Sequence, residues 1–158
     1  MLNDESLGNI HELKILRGLS DDQLKMIFTY GQLVRFDSND IILEEGQTKH
    51  PLYIIVKGQV EVFLPKQGKD HLRERPTKIR LTQLVQGDCF GEYSLVDNEP
   101  ASASVIAAVP CVILKISREH FREILASSAE MAKIIYLNML KILIKRARKS
   151  VEDLNICF

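Results

Sequence analysis

Hydrophobic residues change their spacing twice along the 158-residue chain, which divides it into three stretches. Over the first thirty residues the apolar positions fall three or four apart, the interval that stacks side chains on one helix face. Ile10, Leu13 and Leu16 make one short run; Leu24, Ile27 and Phe28 make a second. The second opens with Ser20-Asp21-Asp22-Gln23. There the Ser20 hydroxyl can accept an amide proton while the Gln23 side chain reaches back. Gly18 and Gly31 stand where the two runs should stop.

From Leu33 the period drops to two. Strands are predicted at 33–36, 41–43, 52–56, 59–63, 78–84, 102–109 and 111–116. Between them lie turn residues: Asp37-Ser38-Asn39, Gly46, Lys57-Gly58, Gln86-Gly87-Asp88 and Pro110. Two β-rich runs joined only by Lys57-Gly58 predict a hairpin, because glycine accepts the positive φ that such turns require. Many short strands at close spacing predict an antiparallel sandwich or barrel.

The last stretch returns to helix. Ser117 can cap a helix carrying Phe121, Ile124 and Leu125, and Ser127 with Glu130 predicts a second capping box, opening a helix to about Leu154. From Met131 to Ile144 the polar residues are Lys133, Asn138 and Lys141, too few for a helix with one buried stripe. One face should cover the sheets and another should meet a second copy of the chain. Met131, Ile135, Asn138 and Ile142 form a seam at steps of four, three and four, with Ile134 beside it. These five are the candidate lid and dimer residues, Asn138 setting the register, while Leu137 and Ile144 lie off the seam; the alternative is a fully intramolecular fit against the N-terminal helices.

Composition narrows the function classes. Twenty-one basic residues balance twenty-one acidic ones, so no overall field points to nucleic acid or an anionic membrane. No apolar run reaches the roughly 18 residues of a membrane span. Met1–Leu7 already carries Asp4 and Glu5, unlike a secretory leader. A cytoplasmic protein is expected. Its three cysteines, Cys89, Cys111 and Cys157, are odd in number and lack CxxC spacing, so neither disulfides nor a structural zinc site is expected. His11, His50, His71 and His120 are scattered, and no nucleophile with an activating base stands out. The expectation is no enzyme, no metal and no cofactor. Lys145-Arg146-Ala147-Arg148-Lys149 reads as a solvated helix end whose cations complement the helix dipole. Too few residues follow it for a helix-turn-helix, so DNA binding is not expected.

Three segments resemble the cyclic-nucleotide-binding domain family: Leu52 to Phe63, Gly87-Asp88-Cys89-Phe90-Gly91-Glu92-Tyr93-Ser94-Leu95, and Pro100-Ala101-Ser102-Ala103-Ser104-Val105. The likeness extends over about 9–149. It implies an α+β, mainly β fold: an eight-stranded antiparallel β-roll, jelly-roll-like, with N-terminal helices, a short cassette helix and a long C-terminal helix. A single domain is then expected, with a helical segment at 1–32, the β-roll at 33–116 with its cassette at 87–105, and C-terminal helices at 117–158. The resemblance places a ligand site on Gly91, Glu92, Tyr93 and Ser94, with Glu92 accepting from a ribose 2′-hydroxyl. The second half of the cassette is Ala101, Ser102 and Ala103, where Ser102 stands at a phosphate-contacting position.

The family pattern puts an arginine directly after the proline, and here Ala101 follows Pro100. Losing one charge-assisted bond to a desolvated anion costs about 1.5–3 kcal/mol, or roughly 10- to 150-fold in affinity. Binding of cyclic AMP or cyclic GMP is therefore expected to be weakened or altered. Arg73 and Arg75, in the basic segment 66–80, are candidate substitute cations. The functional expectation is a non-enzymatic sensor, homodimeric, taking a small anionic ligand such as a cyclic nucleotide and acting on a partner protein. The alternative is a ligand-free interaction dimer with a vestigial pocket.

Overall fold

The computed structural model describes residues 10–68 and 74–156. The first apolar run forms two turns of 3-10 helix, Ile10–Glu12 and Lys14–Leu16, rather than one α-helix. Between them Leu13 is extended, and the Lys14 amide donates to the Gly87 carbonyl instead of to its own turn. The second run is α1, Asp21–Tyr30. Both capping-box bonds form: Ser20 Oγ accepts from the Gln23 amide at 3.3 Å, and Gln23 Oε1 accepts from the Ser20 amide at 2.9 Å.

Eight strands follow: β1 Gln32–Phe36, β2 Ile41–Leu43, β3 Leu52–Lys57, β4 Gln59–Leu64, β5 Ile79–Val85, β6 Cys89–Phe90, β7 Ser104–Ala107 and β8 Cys111–Ile116. They build two antiparallel sheets, ordered β1-β8-β3-β6 and β2-β7-β4-β5. The hairpin expected at Lys57-Gly58 is corrected: β3 and β4 lie in different sheets. β3 pairs with β8 and β4 with β7, so the run 52–64 lies along the run 104–116 through both sheets. Both runs bend where Gly58 meets Pro110. Gly58 has φ +99°, and a Cβ there would stand 2.6 Å from the Pro110 carbonyl oxygen. A glycine is needed at this point for the close approach of two bends as well as for its backbone angle.

Alternation along β3 sorts its side chains between two cores. Leu52 and Ile54 pack with Leu13, Ile15, Ile27, Leu114 and Ile135 on the helical side. Tyr53 and Ile55 pack with Val60, Phe90, Val105 and Ile113 between the sheets.

Ser117 caps α3, Arg118–Ser127, by accepting from the His120 amide. α4 runs Ala129–Ile156, a little beyond the expected end. Its cap is Ser128, whose Oγ accepts from the Met131 amide, while Ser127 Oγ donates to Ile124 of the preceding helix. That local bond replaces the expected Ser127–Glu130 box.

The dimer role expected for the α4 seam is corrected, and the intramolecular alternative is the one that forms. Met131 and Ile135 are fully buried within the chain, and Ile134 and Ile142 are half-buried against the same cluster. Asn138 Nδ2 donates to the carbonyls of Ile15 at 3.1 Å and Arg17 at 2.8 Å. The seam therefore docks on the chain's own N-terminal turns, whose open carbonyls need a donor. Leu137, Leu140, Ile144, Val151 and Leu154 are left exposed. No described helix is long and apolar enough to cross a membrane.

Candidate functional site

A cavity of about 430 Å³ lies against the β2-β7-β4-β5 sheet, within the size range of small-molecule sites. Its floor is apolar, with Leu43, Val62, Leu84, Phe90 and Val105 among the lining residues. Phe90 is held by stacking on Tyr53, with centroids 4.7 Å apart and planes at 6°.

One wall begins where β6 ends. Gly91 turns the chain with φ +80°, and a Cβ there would stand 2.7 Å from the Pro51 carbonyl oxygen. Only glycine meets both conditions without displacing backbone. The turn delivers Glu92 as the cap of α2, Tyr93–Asp97, so the expected short cassette helix forms. Asn98, at φ +63°, ends it. The opposite wall is the segment before β7. Ala101 is 9% exposed; its amide donates to Gln47 and its carbonyl accepts from Gly46. These bonds fix the backbone of residue 101 on the turn that follows β2. Gly91, Glu92, Tyr93, Ser94, Ala101, Ser102 and Ala103 all line the same cavity, so the two halves proposed from sequence converge. Ser94 is buried, whereas Tyr93 is half exposed.

The substitute cations fare differently. Arg73 lies outside the described residues. Arg75 is corrected: its guanidinium grips Glu45 at 2.9 and 3.2 Å and donates to the Pro65 carbonyl, away from the cavity lining. It ties the loop before β5 to the turn after β2.

The cation at the site comes from α4. Arg146 Nη1 lies 2.5 Å from Glu92 Oε1, and its Nη2 donates to the Cys89 carbonyl. Lys149, Ser150 and Asp153 continue the same wall. The Glu92 side chain is 4% exposed and that of Arg146 25%. Burial pushes the Glu92 carboxyl above its ordinary range, and the Arg146 charge opposes that shift without cancelling it. Burial, with Glu92 as a second cause, likewise pushes the Cys89 thiol far up, which keeps it protonated and inert. Sequence reasoning placed Arg146 in a solvated basic run. A signal was available, because Arg146 continues the apolar series Ile135, Met139 and Ile142 at steps of four, three and four.

His50 also lines the cavity, 2% exposed, with Nδ1 3.2 Å from the Pro51 carbonyl and no partner for Nε2 among the described residues. No cluster of metal-ligating side chains occurs among the described residues.

A family model described as the cyclic nucleotide-binding domain matches residues 33–128. The human cGMP-dependent protein kinase 2 is 29% identical over 136 residues, covering 84% of this chain; the chain spans about 17% of that kinase's length. A cyclic nucleotide-binding domain from Methylobacillus flagellatus superposes with a TM-score of 0.80 at 21% identity, covering 94% of this chain and 83% of its own. The catabolite activator protein of Thermus thermophilus superposes at 0.71 with 24% identity, covering 91% and 62%.

Proposed function

Because the chain belongs to the cyclic nucleotide-binding domain family, we propose that it is a non-enzymatic regulatory module whose cavity takes a cyclic nucleotide, or a small anion of like size, with lowered affinity. Glu92 supports the first half of this reading. It is a buried carboxylate at the cavity wall, suited to accept from a ligand hydroxyl. The observation that carries the second half is Ala101, a methyl group on a backbone held at the wall by two hydrogen bonds, where the family places an arginine. A guanidinium there would reach an anion in a site that water largely leaves.

Calorimetric titration with cyclic AMP and cyclic GMP tests this directly. Ala101→Arg should bind one of them at least about ten-fold more tightly than the natural chain. Equal affinities, or a natural chain that binds as tightly as the variant, would overturn the reading.

The outer face of α4 supports a homodimer. Leu137, Leu140, Ile144, Ala147, Val151 and Leu154 recur at steps of three, four, three, four and three, and all are exposed. With β-branched residues at 144 and 151 and leucines at 140 and 154, the pattern suits a parallel two-stranded coil. Parallel pairing sets Lys141 and Arg148 opposite Tyr136 and Leu143, whereas antiparallel pairing would set the cations against each other. A second reading, a ligand-free interaction dimer, is favoured by one feature: the Glu92 carboxylate is already engaged by Arg146.

A further inference from the structure

His50 is a polar side chain buried at the cavity wall, 2% exposed, with half of its ring unclaimed. Its neighbours set its place. Lys49 takes φ +52°, a conformation that L side chains rarely adopt, and Pro51 restricts His50 to extended backbone. The ring packs beside Gly91, where a Cβ would stand 3.1 Å from Nδ1. The same loop meets the opposite wall, since Gln47 accepts from the Ala101 amide and Gly46 donates to the Ala101 carbonyl. His50 therefore belongs to the loop on which both halves of the site rest.

One contact fixes the tautomer. The Pro51 carbonyl, 3.2 Å from Nδ1, can only accept, so Nδ1 carries the hydrogen. Nε2 is then a lone pair shut off from solvent, with no partner among the described residues. A proton there makes the ring a cation with a second N–H to donate, and that N–H needs an acceptor. The surrounding charges favour such a cation. Glu92, Asp97 and Glu99, from the cap of α2 and the stretch behind it, and Asp153 of α4 line the cavity with Arg146 and Lys149. Four carboxylates thus stand against two cations, and Arg146 is already engaged by Glu92. Tyr93 lines the same wall. Tyr53 of β3 lies beside Gly91, and burial pushes its hydroxyl up to about 12, so it stays neutral. An anion needs one more positive charge here, and Ala101 supplies none.

We propose that His50 is the cation for the ligand's anionic group: it takes up a proton from solvent as the anion enters, so binding tightens in mild acid. This rests on the reading of the cavity as a cyclic nucleotide site and assigns that site's anion-recognising residue. The ring already lines the cavity, so a small turn about its Cβ–Cγ bond opens Nε2 to the ligand. Nε2–H then donates to an anionic oxygen, in a space where opposite charges attract far more strongly than in water. An arginine would hold its charge at every pH; an imidazole makes the same site respond to pH.

Calorimetric titration of the full chain with cyclic AMP, cyclic GMP and sulfate tests this, because all three keep their charge near neutral pH. The natural chain should bind about ten-fold more tightly at about pH 6 than at about pH 8. It should also take up protons on binding, read from the heats in two buffers of unlike ionisation enthalpy. His50→Gln should lose the gain at the lower pH and match the natural chain at the higher; any pH dependence left in it belongs to the carboxylates. Should the variant fail to fold, nitrogen NMR of the natural chain decides, since Nε2 must gain a hydrogen in the complex. Equal affinity at both pH values, or a variant that keeps the natural profile, overturns the proposal and leaves nucleotide binding standing. Sulfate binding with this profile while neither nucleotide binds removes the nucleotide reading and keeps His50 as the cation. No binding of any of the three removes both.

Discussion

Glu92 concentrates the site's chemistry because it is an ionisable group shut away from water. Burial raises its carboxyl above the ordinary 4.5, against the pull of Arg146. The folded chain thus holds that proton more tightly than the unfolded chain does, and ionisation costs stability. The sign follows from linkage. Relative to Glu92→Gln, the natural chain should be most stable below the ordinary carboxyl value. That advantage should shrink as pH rises through the raised value and stay level above it. Urea denaturation of both proteins across the acid range checks this, and a difference that grows with pH would contradict it. Glu92 and Ala101 were legible in the sequence because each sits inside a local motif bounded by Gly91 or Pro100. For Arg146 the spacing along α4 could place it on the inner face but could not name its partner, which is 54 residues away and is met only after a whole helix has docked.

At the scale of elements, periodicity located nearly every strand but could not say which sheet each belongs to. Lys57-Gly58 carries the residue chemistry of a tight turn, yet the same positive φ serves a bend between sheets. The choice is made by the long run 104–116, which pairs with β3 and β4 in turn. β6 has two residues, too few for any period to register. On α4 the apolar excess was read correctly as two faces, but spacing alone did not say which face turns inward. Asn138 shows why, because its amide is satisfied by the carbonyls of Ile15 and Arg17, more than 120 positions away. Asn138→Ala should cost about 1 kcal/mol of stability for these bonds. Chemical denaturation should report that loss with the state of association unchanged. A shift in oligomer size would restore Asn138 to the interface.

For the molecule as a whole, the inner face of α4 belongs to one chain and the outer face is available to another. Sedimentation at micromolar concentration should give twice the monomer mass, and Leu140→Glu should give the monomer with the same helical content. The natural chain sedimenting as a monomer would remove the dimer. The β-roll architecture could be anticipated because its strands alternate and its turns are marked, and three separate segments carry a family likeness. How the 3-10 turns meet the last helix was hidden, since these elements gain their partners from each other, from α3 and from the sheets.

The bend at Gly58 and Pro110 has a consequence for selectivity. Because continuous paired runs pass through both sheets there, the strands that form the cavity floor cannot slide apart one at a time. The floor should keep its dimensions whether the site is empty or filled. Discrimination between molecules by shape should then reside in strand side chains such as Leu43, Val62 and Leu84, while the α4 residues Arg146, Lys149 and Asp153 form a wall that does not belong to this paired framework. Substitutions on the strands and substitutions on α4 should therefore alter the cavity independently of each other.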